Sequence, residues 1–244
     1  MKKYIRRILL VVCVIVFCFS AYQLFTIFMQ YKTVDDNNAQ IRNTVIPEKK
    51  EDVPFTVDFA KLKEINSDAV AWLNIEDTDI SYAVVQAGDN DYYLHRNLQK
   101  EDSFAGTLFA DYQNSSDFSD FNTIIYGHNM KNGSMFGKLK KYKDVNYYNE
   151  HPYIDLYIEG QKLRYQVFSA RDVDVASTKT YYNVYGQSGL KQEMIDEWFS
   201  TALYSTGVEV TPEDQVITLS TCVDSLDDQY RFVVNAKLIE TSDY

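Results

Sequence analysis

Ile8–Phe28 (ILLVVCVIVFCFSAYQLFTIF) runs for 21 residues without a formal charge, and nothing else in the chain constrains its fold and placement as much. At about 1.5 Å per residue a helix of that length covers roughly 30 Å, the thickness of a bilayer's hydrocarbon core. Lys2, Lys3, Arg6 and Arg7 precede the stretch, and Asp35 and Asp36 follow it. The positive-inside bias therefore keeps residues 1–7 in the cytoplasm as a basic tail and puts everything after Phe28 outside the cell. A cleaved signal peptide needs a shorter apolar run closed by a small-x-small site. Here Phe25, Ile27 and Phe28 prolong the run, which favours an uncleaved single-pass anchor over residues 8–28. On either reading the rest of the chain is exported.

Residues 29–54 are polar and charged with little apolar periodicity. They read as an extracellular tether, helical near the bilayer, that lifts a folded domain at 55–244 off the membrane. Beyond the anchor, 20 Lys and Arg stand against 35 Asp and Glu, a balance of −15. A body so acidic is repelled by phosphate backbones, so no nucleic-acid partner is expected. The chain is 45% hydrophobic and 15% aromatic, enough to fill one sizeable core, while only 9 Gly and 4 Pro exclude collagen and low-complexity chains. Cys13 and Cys18 lie inside the apolar stretch and act as small hydrophobes. Cys222 is thus the sole exported thiol, in a compartment where cysteines usually pair.

In Val57–Leu73 the apolar spacing predicts two short helices, N-capped by Asp58 and broken at Asn66-Ser67-Asp68. Short runs rich in Val, Ile, Tyr, Phe and Thr then read as strands: Ile80–Val85, Gly106–Tyr112, Asn122–Tyr126, Tyr153–Ile158, Leu163–Ala170, Gln215–Cys222 and Tyr230–Ile239. In residues 188–204, Leu190, Met194, Trp198 and Ala202, with Ile195, Phe199 and Leu203 beside them, form an apolar helical stripe. The expected architecture is mostly β, closed or nearly so. No phosphate loop, CxxC pair or metal-binding cluster stands out in the sequence, and no cofactor is expected.

Cys222 ends one strand, and the next begins shortly after it, so an antiparallel return brings Arg231 near Cys222 at one rim. His128 also stands just past a strand end, in Tyr126-Gly127-His128. The three groups are chemically complementary. A thiol needs a base to become a nucleophile, an imidazole can take that proton and return it to a leaving amine, and a guanidinium can hold an oxyanion. Taken singly, a histidine is more often structural and a strand arginine more often solvated. His95 and His151 keep that plain role.

The motifs TLSTC at 218–222, YGHNM and KNGSMF at 126–136, and YRFVV around Arg231 resemble those of the sortases, and within them class B. DFAKLKEINSDAVAWLNI at 58–75 and NDYYL at 90–94 extend the resemblance across about residues 55–240. It implies an eight-stranded β-barrel with N-terminal helices and a long helix before the penultimate strand. It further implies Cys222 as nucleophile, His128 as general acid/base and Arg231 as carbonyl and oxyanion partner, with Asn90, Leu94, Tyr126 and Ser220 lining the groove for a sorting peptide. Members often carry an acid directly after the cysteine. Here Val223 stands there and Asp224 follows, a candidate contributor whose ordinary role is that of a solvated loop acid.

The implied reaction is transpeptidation at the outer face of a Gram-positive membrane. A C-terminal motif resembling Asn-Pro-x-Thr-Asn/Gly is cleaved after Thr through a thioester, and the surface protein passes to the amine of a lipid II-type peptidoglycan precursor. The pilus-polymerising class C carries an Asp-Pro-aromatic lid. Ile46, Val53, His151 and Thr211 precede the prolines here, so no Asp-Pro exists. Two rivals remain at this level: a cysteine peptidase that only hydrolyses, and an anchored barrel that binds a surface ligand with Cys222 merely buried.

Overall fold

The computed structural model describes residues 2–47, 55–182, 187–224 and 227–244. It separates into two compact units, Met1–Ile41 and Arg42–Tyr244. Helix α1 runs Lys2–Val45. No Gly or Pro interrupts the sequence before Pro47, whose ring disfavours helical geometry in the residue before it, and the helix stops just short of that point. A stretch within Lys3–Val45 reaches a mean hydropathy of 2.6, and it is long and apolar enough to cross a membrane. Helical structure thus continues well into the expected tether at 29–54, and residues 48–54 of that tether lie outside the described residues.

In the second unit, the carbonyl of Val45 accepts from the Asp58 N–H at 2.7 Å. Asp58 caps α2 (Phe59–Ile65) through its carboxylate, which accepts from Lys61 N at 3.1 Å. The expected second helix is a strand instead. Asn66 turns to extended backbone, and β1 (Ala69–Asn74) follows, paired with β2 (Ser81–Val85) on one side and β5 (Tyr153–Ile158) on the other. Ala71–Asn74 are buried on successive positions, so both faces of β1 are covered. An apolar run of that kind fits a helix and a buried strand equally well from sequence.

The remaining strands are β3 (Leu108–Ala110), β4 (Asn122–Tyr126), β6 (Gln161–Asp174), β7 (Val216–Asp224) and β8 (Asp227–Asp243). They close a barrel in the order β1-β2-β3-β4-β7-β8-β6-β5, as the resemblance implies. Most neighbours are antiparallel, but β2–β3 and β4–β7 are parallel. Helix α3 (Val145–Glu150) lies between β4 and β5, and α4 (Ser188–Ser200) precedes β7. Met194, Ile195 and Trp198 of α4 are buried against Phe121, Phe168 and Val216. The buried stripe is narrower than expected, because Phe199 and Leu203 are exposed.

A buried polar row crosses the barrel wall. Asn235 Nδ2 donates to Thr218 Oγ1 (2.7 Å), which donates to Asn122 Oδ1 (2.6 Å), while Asn122 Nδ2 donates to the Thr180 carbonyl (3.1 Å). Arg171 joins it from β6. Its side chain is 1% exposed, and it donates to Thr180 Oγ1 at 2.5 Å and to Glu197 of α4 at 3.1 Å. Every buried polar group in this row is satisfied, which keeps a buried charge tolerable. The row fastens α4 and the segment before Tyr181 to the same barrel wall.

Candidate active site

Because β4 and β7 run parallel with Tyr126 opposite Ser220, both strands deliver their following residues to the same rim. Gly127 N donates to the Ser220 carbonyl at 3.1 Å, and His128 comes next. Only glycine fits at 127, since a Cβ there would lie 2.4 Å from Leu108 Cδ2 and 2.6 Å from Phe136 Cδ2. On the other side, β7 pairs antiparallel with β8 and sets Cys222 directly opposite Arg231. The backbone alone therefore gathers the stretches carrying His128, Cys222 and Arg231. The side chains of Cys222, Val223 and Asp224 lie outside the described residues. The register shifts between Cys222 and Asp224, and Asp224 is paired with Asp227.

His128 is half-buried and its Nε2 lies 2.7 Å from the Leu94 carbonyl. A carbonyl can only accept, so Nε2 carries the hydrogen and Nδ1 is left as the titrating nitrogen. Burial pulls the imidazole below 6.5, the Leu94 hydrogen bond opposes that, and the neighbouring His95 lowers it further. The His95 and His128 ring centroids are 6.1 Å apart. Arg231 is half-buried, donates to the Tyr230 carbonyl at 3.1 Å, and sits between Val173 of β6 and Cys222 of β7.

The four residues expected to line a groove fall into two groups. Leu94 holds His128 through its carbonyl. Asn90 and Tyr126 both donate to Asp111 Oδ2 at 2.9 Å, and Ser220 Oγ lies 2.8 Å from the Tyr181 hydroxyl. Tyr126 and Tyr181 stack with centroids 6.2 Å apart. Burial raises the Tyr126 phenol pKa most, Asp111 adds to that, and the Arg231 charge partly offsets it, so Arg231 acts on Tyr126 across β7.

Sequence reasoning missed Asp111, Tyr181 and the closeness of His95 to His128. Asp111 carried a usable signal. It is an acid directly after a buried strand, the same strand-end position that singled out His128. Tyr181 had none, since its place depends on the long connection between β6 and β7.

Residues 73–239 match the family model of the sortase domain. Sortase B of Listeria monocytogenes is 38% identical over 73% of this chain and 72% of its own length. Sortase B of Staphylococcus aureus is 30% identical over 99% of both chains. The crystal structure of sortase B from Bacillus anthracis superposes with a TM-score of 0.75 at 35% identity, covering 87% of this chain and 99% of that one. The chain belongs to the sortase family, the cysteine transpeptidases that join surface proteins to cell-wall amines. Within that family its relatives and its barrel are those of class B, an enzyme rather than an anchored binding module.

Proposed function

We propose that this class B sortase is held in the membrane by residues 8–28, with residues 1–7 cytoplasmic, 29–54 as tether and 55–244 as the extracellular catalytic domain. There it cleaves a sorting signal of the form Asn-Pro-x-Thr-Asn/Gly after Thr. The observation that carries this reading is the pairing of Cys222 with Arg231 beside the parallel β4–β7 pair that leads to His128.

In the proposed mechanism Cys222 passes its proton to His128 Nδ1 and its sulfur attacks the Thr carbonyl carbon. Arg231 stabilises the charge that develops on the carbonyl oxygen. The peptide C–N bond breaks, the leaving amine takes the proton from His128, and a Thr thioester remains. The amine of a lipid II-type peptidoglycan precursor then attacks the thioester and gives a proton to His128. The C–S bond breaks, a new amide forms, and the proton returns to Cys222. Hydrolysis differs only in water reaching the thioester first. Asn90, Leu94, Tyr126 and Ser220 bind the sorting peptide, and Asp224 is a further candidate at the rim.

The test is intact mass spectrometry of the full chain in detergent micelles with a library of Asn-Pro-x-Thr-Asn and Asn-Pro-x-Thr-Gly peptides. The expected result is a mass gain equal to the peptide up to Thr, absent in Cys222→Ala and discharged faster by added amine than by water. No adduct with any library member overturns the motif.

A further inference from the structure

Asp111 stands just past β3, and its carboxylate is used on both oxygens. Oδ2 accepts from Asn90 Nδ2 and from the Tyr126 hydroxyl, both at 2.9 Å, while Oδ1 accepts from Gln113 N at 2.9 Å. Its own N–H is spent on the Ile124 carbonyl at 2.9 Å, and its carbonyl accepts from Gln86 at 2.8 Å. The Asn90 amide is fixed at its other end as well, since its Oδ1 accepts from Tyr112 N at 3.0 Å.

These contacts dictate hydrogen-bond polarity. Asp111 accepts on both carboxylate oxygens, so the Tyr126 hydroxyl spends its hydrogen on Asp111 and can offer a partner only an oxygen lone pair. Asn90 must turn its NH2 towards Asp111, which leaves its second N–H as what it offers to a partner. One donor and one acceptor side by side match the C=O and N–H of a peptide backbone. Burial, and after it Asp111, push the Tyr126 phenol pKa well up, which keeps the hydroxyl hydrogen in place.

We infer that Asp111 is a positioning residue that sets Asn90 as donor and Tyr126 as acceptor for the backbone of the bound sorting peptide. The inference rests on the proposal that Asn90 and Tyr126 line the peptide groove.

The experiment measures kcat and KM of the full chain in micelles with internally quenched Asn-Pro-x-Thr-Gly peptides, alongside the rate of Cys222 alkylation by iodoacetamide. Asp111→Asn keeps size but supplies a donor where only acceptors belong. It is expected to raise KM about tenfold to a hundredfold, with kcat and alkylation within about twofold of wild type. Asn90→Asp probes the same contact from the other side if Asp111→Asn folds poorly, and it is expected to raise KM similarly. The double variant Asn90→Asp/Asp111→Asn rebuilds the contact with inverted polarity. It should recover thermal stability while KM stays high. A double variant with wild-type KM overturns the inference, because Asp111 would then be structural glue alone. So does an unchanged KM in Asp111→Asn when Asn90→Ala and Tyr126→Phe each raise it, a result that leaves the groove intact. If neither Asn90→Ala nor Tyr126→Phe moves KM, the groove assignment itself fails and the inference falls with it.

Discussion

His128 donates through Nε2 to the carbonyl of Leu94 at 2.7 Å, so the nitrogen left to titrate is Nδ1. Long-range 1H–15N spectra are expected to show the Nε2-protonated tautomer. Burial further implies a titration midpoint below 6.5. The unfolded chain takes up that proton near 6.5 and the folded chain refuses it. Stability should therefore fall as pH drops from about 6.5 towards the folded midpoint, and His128→Gln should flatten that slope in thermal melts. A midpoint above 6.5 would contradict the burial argument.

The three proposed site residues separate kinetically. Cys222→Ala should remove the thioester altogether, since the sequence holds no other thiol beyond the apolar N-terminal helix. His128→Ala should lose about 10²–10⁴-fold in peptide cleavage while keeping slow thiol alkylation. Arg231→Lys retains the charge and loses the planar fork, so an oxyanion role requires a large drop in kcat. Near-normal turnover in Arg231→Lys would remove Arg231 from the site.

Gly127→Ala tests how His128 is aimed. The added methyl meets Leu108 and Phe136 at 2.4 and 2.6 Å, and both are buried side chains with little room to yield. About 1–3 kcal/mol of stability should be lost, and kcat should fall because the strand end carrying His128 is displaced. Denaturant melts and peptide cleavage check the two effects separately.

Much of the barrel was legible because its strands are short, β-branched and punctuated. The prediction for β4, Asn122–Tyr126, agrees residue for residue. The run Ala69–Leu73 reads as a helix because both faces of the strand are buried, which removes the alternation that marks an ordinary strand. Cys222 and Arg231 could be paired from sequence since a short return joins them. Asn90, Asp111 and Tyr126 meet where the connection of the parallel β2–β3 pair crosses back to the β3–β4 pair, a placement that no local pattern encodes.

Arg171 and Glu197 offer a test of α4's attachment. Burial pushes the Glu197 carboxyl up, but hydrogen bonds from Thr178 and the Lys179 N–H, together with Arg171, leave it below 4.5 overall. Its contribution is present above 4.5 and is lost as pH falls through the lower folded value. Glu197→Gln leaves Arg171, 1% exposed, without its counter-charge and should cost about 3 kcal/mol at neutral pH. The gap to wild type should narrow in acid. A constant gap in melting curves from neutral to acid pH would show that the pair carries no charge-dependent stability.

The parallel β4–β7 pairing also governs timing. A chain made from its N-terminus completes β1 to β6 and α4 before β7 exists, so the strand that leads to His128 waits for a distant partner. Non-local pairing of this kind forms slowly. Until β7 pairs with β4, Cys222 has only Arg231 opposite it, through the local β7–β8 return, and lacks the neighbouring strand end that leads to His128. The strands that carry His128, Cys222 and Arg231 are thus all in place only once the barrel has closed, and any chemistry that needs the three together starts there.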